Sequence, residues 1–481
     1  MELSPELHAL IEGLRNEIAG LKQEVSILRQ ENAGLKQEVA DLRRQLGKDS
    51  SNSSKPPSSD GLGKKPRIAG SLRGQSDKKS GGQAGHKGDT LRRTETPDII
   101  RTHTAATCAH CRSKLTAAMA SGVEKRQVFD MPVPRLEVTE HQAQIYACAH
   151  CHGTTKAAFP EDVTSHVQYG PRIKAAAIYL NAQQLIPEDR VVEVMNDLFG
   201  AQGLCSASIV AWGIAKAGVL SPLVDHINAL LATASVRHLD ETGFRIGGKT
   251  QWLHVLSTAM LTSYRASEKR GSIPTTLRGG IIVHDHFKPY YTLAGLRHSL
   301  CNAHHLRELK ALIEIEKEPW ASKMSRLLLQ ACKAVARAKA QGSTMLAERI
   351  KRRILSLYDA IVMRGWLFHE QLPPLAKPEG ARGIRAHRPG FNLLRRLRNF
   401  KNDVLRFLED FAVPFTNNQA EQDIRMMKVK MKISGGFRTR AGAETFATLR
   451  SILSTARKQE WNILKTLSIP SEALIQALNP L

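Results

Sequence analysis

The sequence predicts a multidomain α/β protein: a mixed sheet preceded by a coiled coil, a cysteine-rich module and a helical block. Three observations carry this expectation. Leucine recurs every seven residues through the first 47. Two Cys-x-x-Cys pairs follow, Cys108/Cys111 and Cys148/Cys151. Two β-rich apolar runs then end near acidic residues, Asp240 and Asp285, and a third acid, Glu421, sits in a distant helical pattern. At 481 residues the chain exceeds one compact core, so about three folded units plus linkers are expected.

Composition narrows the class. An apolar share of 42% suffices for real cores, and a net charge of +24 favours a polyanionic partner, nucleic acid above all. The bland alternative is a generically basic protein, but here the charge is clustered. No run approaches the roughly twenty apolar residues of a membrane span. The start, Met1 to Glu6, lacks the basic-then-apolar pattern of a secretory signal. Seven cysteines, four of them in two close pairs, fit a reducing compartment and a metal site better than a disulfide framework. The expectation is a soluble intracellular protein with no membrane partner.

Residues 1–47 read as a zipper. Leu7, Leu14, Leu21, Leu28, Leu35 and Leu42 occupy d; Ile11, Ile18, Val25, Asn32, Val39 and Leu46 occupy a. Leucine at d with β-branched residues at a favours a parallel pair, and Asn32 can fix its register. Glu17, Glu24, Glu31 and Glu38 at g face Arg15, Lys22, Arg29, Lys36 and Arg43 at e of a second copy. Gly13, Gly20 and Gly34 fall on the outer face, each costing about 1 kcal/mol in helix propensity. A lone amphipathic helix does not need such charge order, so a homodimer is expected.

Residues 48–96 lose the periodicity and become rich in Ser, Gly, Pro and cations. The stretch Gly81 to Gly88 lacks the spacing and preceding strand of a phosphate-binding loop. A plain tether, and one that also touches DNA phosphates through Lys64, Lys65, Arg67, Arg73, Lys78, Lys79 and Lys87, fit equally.

Within 97–168, Cys108-Ala-His-Cys111 and Cys148-Ala-His-Cys151 are two knuckles whose four thiolates can close a tetrahedral structural Zn2+ site. Residues 126–131 and 137–146 look like strands between them. A redox role would need a thioredoxin-like βαβ context that is missing. His110, His150 and His152 are surplus to the four sulfurs, and Cys205 and Cys332 read as small core residues.

Residues 169–234 look helical. A helix over 187–198, a turn around Gly200 and Gly203, and a helix from Ser206, the expected N-cap, to Ala217 resemble a helix-turn-helix. An ordinary helical domain fits as well.

From 235 to 300 the pattern turns to strands: 235–246, a turn at Gly247-Gly248, 251–260 and 281–284. Asp240 lies in the first of these and Asp285 just past the last, so a mixed sheet can bring the two carboxylates together at neighbouring strand ends. Either one alone would more often be a turn former. Glu421, in 413–481, follows Asn417 and Asn418, which can cap a helix and offer amides to a phosphate. Arg425 lies four residues on, the spacing of an ordinary helix ion pair. Behind it run Lys428, Lys430, Lys432, Arg438 and Arg440 around Gly435-Gly436, a pattern suited to lining DNA. Two strand carboxylates and one helix carboxylate can hold a pair of hard cations, Mg2+ or Mn2+, for phosphodiester chemistry.

At this point the chain resembles the IS66-type bacterial transposases. The likeness rests on the zipper, Ser53-Ser-Lys-Pro-Pro-Ser-Ser-Asp60, Gly81-Gly-Gln-Ala-Gly-His-Lys-Gly88, the knuckles, Asp240-Glu-Thr242, Asn417-Asn-Gln-Ala-Glu421 and Lys432-Ile-Ser-Gly-Gly-Phe-Arg-Thr439. It implies an RNase H-like catalytic domain whose DDE roles fall on Asp240, Asp285 and Glu421, with 301–412 as a helical insertion. It also draws attention to Cys301-Asn-Ala-His304, since His304 can contact DNA near the scissile phosphate or be a satisfied core histidine. Gln422 departs from the arginine expected after the glutamate, removing a phosphate contact but no ligand. Glu241, facing away from Asp240 along a strand, is not expected to bind metal.

The resemblance implies a DNA transposase of the bacterial cytoplasm, associated with the nucleoid. It would act on terminal inverted repeats and target DNA as a homodimer, with accessory proteins of the element as further partners. The rivals are a non-catalytic or decayed zinc-containing DNA-binding protein and a metal-dependent nuclease without strand transfer.

Overall fold

A computed structural model of the protein describes residues 5–49, 52–53, 90–273, 276–375 and 387–479. The linker cations named above lie outside the described residues.

The heptad pattern forms one helix, α1 (Pro5–Gly47), of 43 residues. Leu14, Leu21, Leu28, Leu35 and Leu42 are each half exposed or more in the single chain. Further on, β1 (Ile145–Ala147) and β2 (Thr154–Lys156) pair antiparallel around the second knuckle. The strands expected at 126–131 and over most of 137–146 do not form; only Ile145 and Tyr146 are in a strand. Pro132 and Pro134 remove ladder donors between those runs, and Val128, Met131, Val133 and Val138 stay exposed.

Helices α2 (Pro171–Ile178), α3 (Glu188–Phe199) and α4 (Ser206–Thr233) follow. Gly200 and Gly203 take positive φ in the turn between α3 and α4. Cys205, exposed, is the N-cap residue of α4, whereas Ser206 starts the helix and donates to Asp189. That overturns the expected cap at Ser206 and the core position of Cys205. α4 also runs 28 residues, well past Ala217, and is long and apolar enough to cross a membrane by length and composition. In this fold Leu220, Leu223, Ile227 and Leu231 on it are fully buried against the sheet.

The sheet comprises β3 (Val236–Ile246), β4 (Lys249–Ser257), β5 (Thr262–Ser267), β6 (Ile281–His284) and β7 (Arg297–Leu300), in the order β5-β4-β3-β6-β7. The first three strands run antiparallel; β6 and β7 run parallel to β3. β5 and β7 carry too little apolar alternation to stand out in the sequence. Gly247 and Gly248, both at positive φ, form the two-residue hairpin turn.

The insertion is helical: α5 (Asn302–Ala311), a π-helical turn at Leu312–Glu316, α6 (Pro319–Ala340), α7 (Glu348–Glu370), α8 (Pro389–Asn399) and α9 (Lys401–Leu405). Then come α10 (Asn418–Ser434), α11 (Arg440–Lys458), α12 (Ile463–Thr466) and α13 (Ser471–Ala477).

Strand alternation divides the core between the two faces. Leu239, Leu256 and Ile282 bury against α4 and α11. Ile281 and Val283 bury on the opposite face with the insertion helices, and Phe244 and Val255 pack there with α10. Edge strand β5 is covered by hydroxyls of α11, with Thr455 and Ser451 accepting from the amides of Thr262 and Tyr264. Cys332 packs against the insertion core, as expected. The base of α1 meets this insertion too: Arg44 Nε lies 2.6 Å from Glu316.

Candidate active site

Strand register sets the first two acids. β3 and β6 pair in parallel through Val236↔Ile281, Arg237↔Ile282 and His238↔Val283, a constant offset of 45 residues. Prolonged by two positions, the same offset puts Asp240 level with Asp285 on the same face. Asp240 is thus inside a long strand and Asp285 just beyond a short one. After Asp285 the chain turns sharply, with His286 at positive φ, its ring edge against Phe400, and the amide of Phe287 donating to the Asp285 carboxylate.

Glu421 arrives on α10, whose Ala420, Ile424 and Met427 bury against β3 and β4. Asp423 fixes the helix further by accepting from Lys458 at 2.8 Å. The N-terminal end is held by Asn417, 1% exposed. Its side-chain amide donates to the carbonyl of Leu239 at 2.8 Å, and its Oδ1 lies 2.8 Å from His238 Nδ1. With the amide nitrogen committed to a carbonyl, Oδ1 must accept, so His238 carries its proton on Nδ1. The backbone amide of Asn417 donates to Cys301 Sγ at 3.1 Å. Asn417 is therefore an internal tie rather than a side-chain cap or a ligand offered to phosphate, while Asn418 is exposed.

Around Glu421 stand three residues from the start of α5. Arg307 Nη2 is 3.4 Å from Oε2, and Cys301 Sγ and His304 Nδ1 are 3.6 and 3.7 Å from Oε1. Arg425, the partner that i,i+4 spacing suggested, is exposed and makes no such pair. Burial, then the Glu241 and Asp285 carboxylates, push the Asp240 carboxyl up to about 8, with Glu421 adding to the effect. His304 is held toward its neutral form by burial, against the pull of Glu421. Such concentrated negative charge with oxygen donors suits a hard divalent cation, and Asp240, Asp285 and Glu421 fit that role.

Glu241 faces the other way, with a fully buried side chain. Tyr290 donates to it, and Arg270 donates through Nε and Nη2 at 2.9 and 2.8 Å. The Arg270 guanidinium also lies over the rings of Trp252 and Phe287, at 5.0 and 4.3 Å from their centroids. Glu241 thereby braces the loop that follows Asp285.

Of the basic run, Arg425, Lys428, Lys432 and Arg438 are exposed. Lys430 is not: its ammonium sits over Phe437 and Phe446 and burial lowers its pKa. Gly435 and Gly436 do not form a free loop. A Cβ at Gly436 would clash with the Arg245 carbonyl, because Phe437 returns to pair with the end of β3.

The two knuckles fold into the same turn, with Arg112 and His152 at positive φ after each pair. Backbone amides of Cys151 and His150 lower the Cys148 thiol, and Ser113 brings Cys111 down to about 7, so the thiols suit a metal that binds thiolate. Among the described residues, the potential ligand atoms grouped within 4.8 Å of one another are those of Cys301, His304 and Glu421. The knuckle sulfurs stand as two pairs.

A family model described as Transposase IS66 family matches residues 166–445, more than half the chain and the whole span from Asp240 to Glu421. The chain belongs to the IS66 transposase family. The zinc-finger binding domain of transposase IS66 matches residues 105–152, both knuckles included, and a family of unknown function matches residues 2–92. No curated protein matches the chain. As an IS66 family member the protein is a transposase-type enzyme, and its zinc-finger module implies DNA as partner and Zn2+ as a bound ion.

Arg307, Cys301 and Asn417 are the site residues that sequence reasoning under-read. Arg307 had a usable signal, since it lies three residues from His304 on one helix and shares its face.

Proposed function

We propose that the protein cleaves insertion-element ends and joins the freed 3′-hydroxyls to target DNA, with Asp240, Asp285 and Glu421 as ligands of two Mg2+ or Mn2+ ions. The observation that carries this reading is the register that sets Asp240 level with Asp285 while Glu421 lies close enough to raise the Asp240 carboxyl. Bound cations would activate the attacking oxygen and stabilise the leaving one. The chain's own groups position the reaction: Asn417 ties the Glu421 helix to β3, Glu241 and Arg270 brace the Asp285 loop, and Arg307 offers a guanidinium beside Glu421. Arg307 would supply from α5 the phosphate contact missing at Gln422.

The mixed sheet with its helical insertion supports an RNase H-like core over 235–300, completed by 413–481, with 301–412 inserted. The exposed seam of α1 supports a parallel homodimer through 1–47 that would pair two element ends. Residues 48–96 would tether it, 97–168 bind zinc and 169–234 help hold DNA. Arg425, Lys428, Lys432 and Arg438 would line the DNA, with His304 near the scissile phosphate. The protein would work at the bacterial nucleoid, with or without accessory proteins of the same element.

A strand-transfer assay on DNA carrying the element ends, with Mg2+, tests this. Joined products are expected. Cleavage without joining would mark a nuclease, and binding without either a DNA-binding protein that has lost its chemistry.

A further inference from the structure

We propose that Cys301, His304 and Glu421 form a second transition-metal site, one that takes Zn2+ and competes with the catalytic cations for Glu421. Two features converge there, the geometry of the donor atoms and an uncommitted imidazole nitrogen. The donor atoms are one sulfur, one imidazole nitrogen and one carboxylate oxygen, all within 4.8 Å of one another. The separations from Glu421 Oε1, 3.6 Å to Cys301 Sγ and 3.7 Å to His304 Nδ1, approach the roughly 3.5 Å edge of a tetrahedral zinc shell with bonds of about 2.0–2.3 Å. His304 Nδ1 is buried without a hydrogen-bond partner, so its ring nitrogen is not committed to anything else.

The surroundings hold this set in place. Cys301 is 1% exposed at the N-cap of α5, and His304 lies three residues on, in the first turn of the same helix. The Asn417 amide donates to the sulfur at 3.1 Å, the kind of contact that orients and stabilises a ligating thiolate. Arg307 engages Oε2 of Glu421, leaving Oε1 turned toward Cys301 and His304. Metal binding forms one bond to sulfur, one to nitrogen and one to oxygen, and the thiol proton leaves to solvent. Three protein donors leave a fourth position for water. Sulfur and imidazole favour Zn2+ over Mg2+, whereas the all-carboxylate set with Asp240 and Asp285 favours the hard cation. Glu421 belongs to both sets and cannot serve both at once. Zinc at the Cys301 site therefore withdraws one catalytic ligand and inhibits joining.

The binding claim stands on geometry alone, whereas the inhibition rests on the proposed role of Glu421. The test is metal content and Co2+ absorption of the reduced full-length protein, wild type against Cys301→Ser and His304→Ala, after equilibration with Zn2+ or Co2+ and gel filtration. Two metal ions per chain are expected for the wild type, one in the knuckles and one here, and one for each variant, with a matching loss of thiolate-to-cobalt absorption in Cys301→Ser. His304→Ala leaves the buried thiol in place and gives the second reading should Cys301→Ser fail to fold. Equal metal content in wild type and His304→Ala overturns the proposal. That outcome would leave Mg2+-dependent joining untouched, and absent joining would leave the zinc count untouched, so the two claims fail separately.

Discussion

The side-chain amide of Asn417 donates to the carbonyl of Leu239 at 2.8 Å, one residue before Asp240. That bond fastens the start of the Glu421 helix to the strand bearing the first aspartate, across 178 residues of chain. Asn417→Ala leaves the Leu239 carbonyl and His238 unpaired in a buried place. We expect joining to fall about 10–100-fold, with a higher Mg2+ concentration needed for half-maximal activity and DNA affinity unchanged. An unchanged Mg2+ midpoint in a folded variant would show that Asn417 does not position the metal ligands.

Asp240 carries a proton-linked signature. Its carboxyl is pushed up to about 8 in the folded chain, against 3.8 ordinarily. The folded state holds that proton more tightly than the unfolded one, so stability without cations falls as pH rises from about 4 toward 8. A bound cation would reverse the penalty. Thermal melts should therefore show Mg2+ stabilisation growing from pH 6 to pH 9, and Asp240→Asn should raise the cation-free melting temperature at pH 8 while abolishing that growth. A flat Mg2+ response across this range contradicts the charge arrangement.

Glu241 separates bracing from ligation. Glu241→Gln keeps the shape but weakens the hold on Arg270 and Tyr290, and should cost about 1–3 kcal/mol of stability in denaturant melts. Its Mg2+ midpoint should shift only slightly, through the lost charge beside Asp240. A midpoint shifted as far as that of Asp240→Asn would make Glu241 a ligand.

The zipper predicts a concentration-dependent dimer. Sedimentation of a chain lacking residues 1–46 should show weaker association, and Asn32→Val should tighten association while relaxing its two-chain state toward higher oligomers. Association unaffected by the deletion would place the dimer contact elsewhere.

The elements with strong local patterns were legible in the sequence. The heptads of α1, the Gly247-Gly248 hairpin and the four buried residues of β6 each announce themselves through period or turn chemistry. β5 and β7 did not, because much of their side-chain burial is polar: Thr262, Ser263, Ser267 and Ser299 are buried. The opposite error occurred at 126–131, where a stretch that looks like a strand finds no partner and stays irregular and largely exposed. At the site, the acids were legible as residue types in context, but their neighbours were not. Asn417 read as a helix cap because only the tertiary fold reveals that Leu239 and His238 await its amide. Lys430 read as a DNA contact because nothing local places Phe437 and Phe446 beneath it.

In the proposed function, Asp240, Asp285 and Glu421 act together as the metal-binding acids of a strand-transfer site. The most direct test measures joining of element-end DNA by Asp240→Asn, Asp285→Asn and Glu421→Gln proteins in Mg2+, alongside their affinity for the same DNA. Joining should drop to background in all three while binding persists. Full joining by any one of them would contradict this assignment.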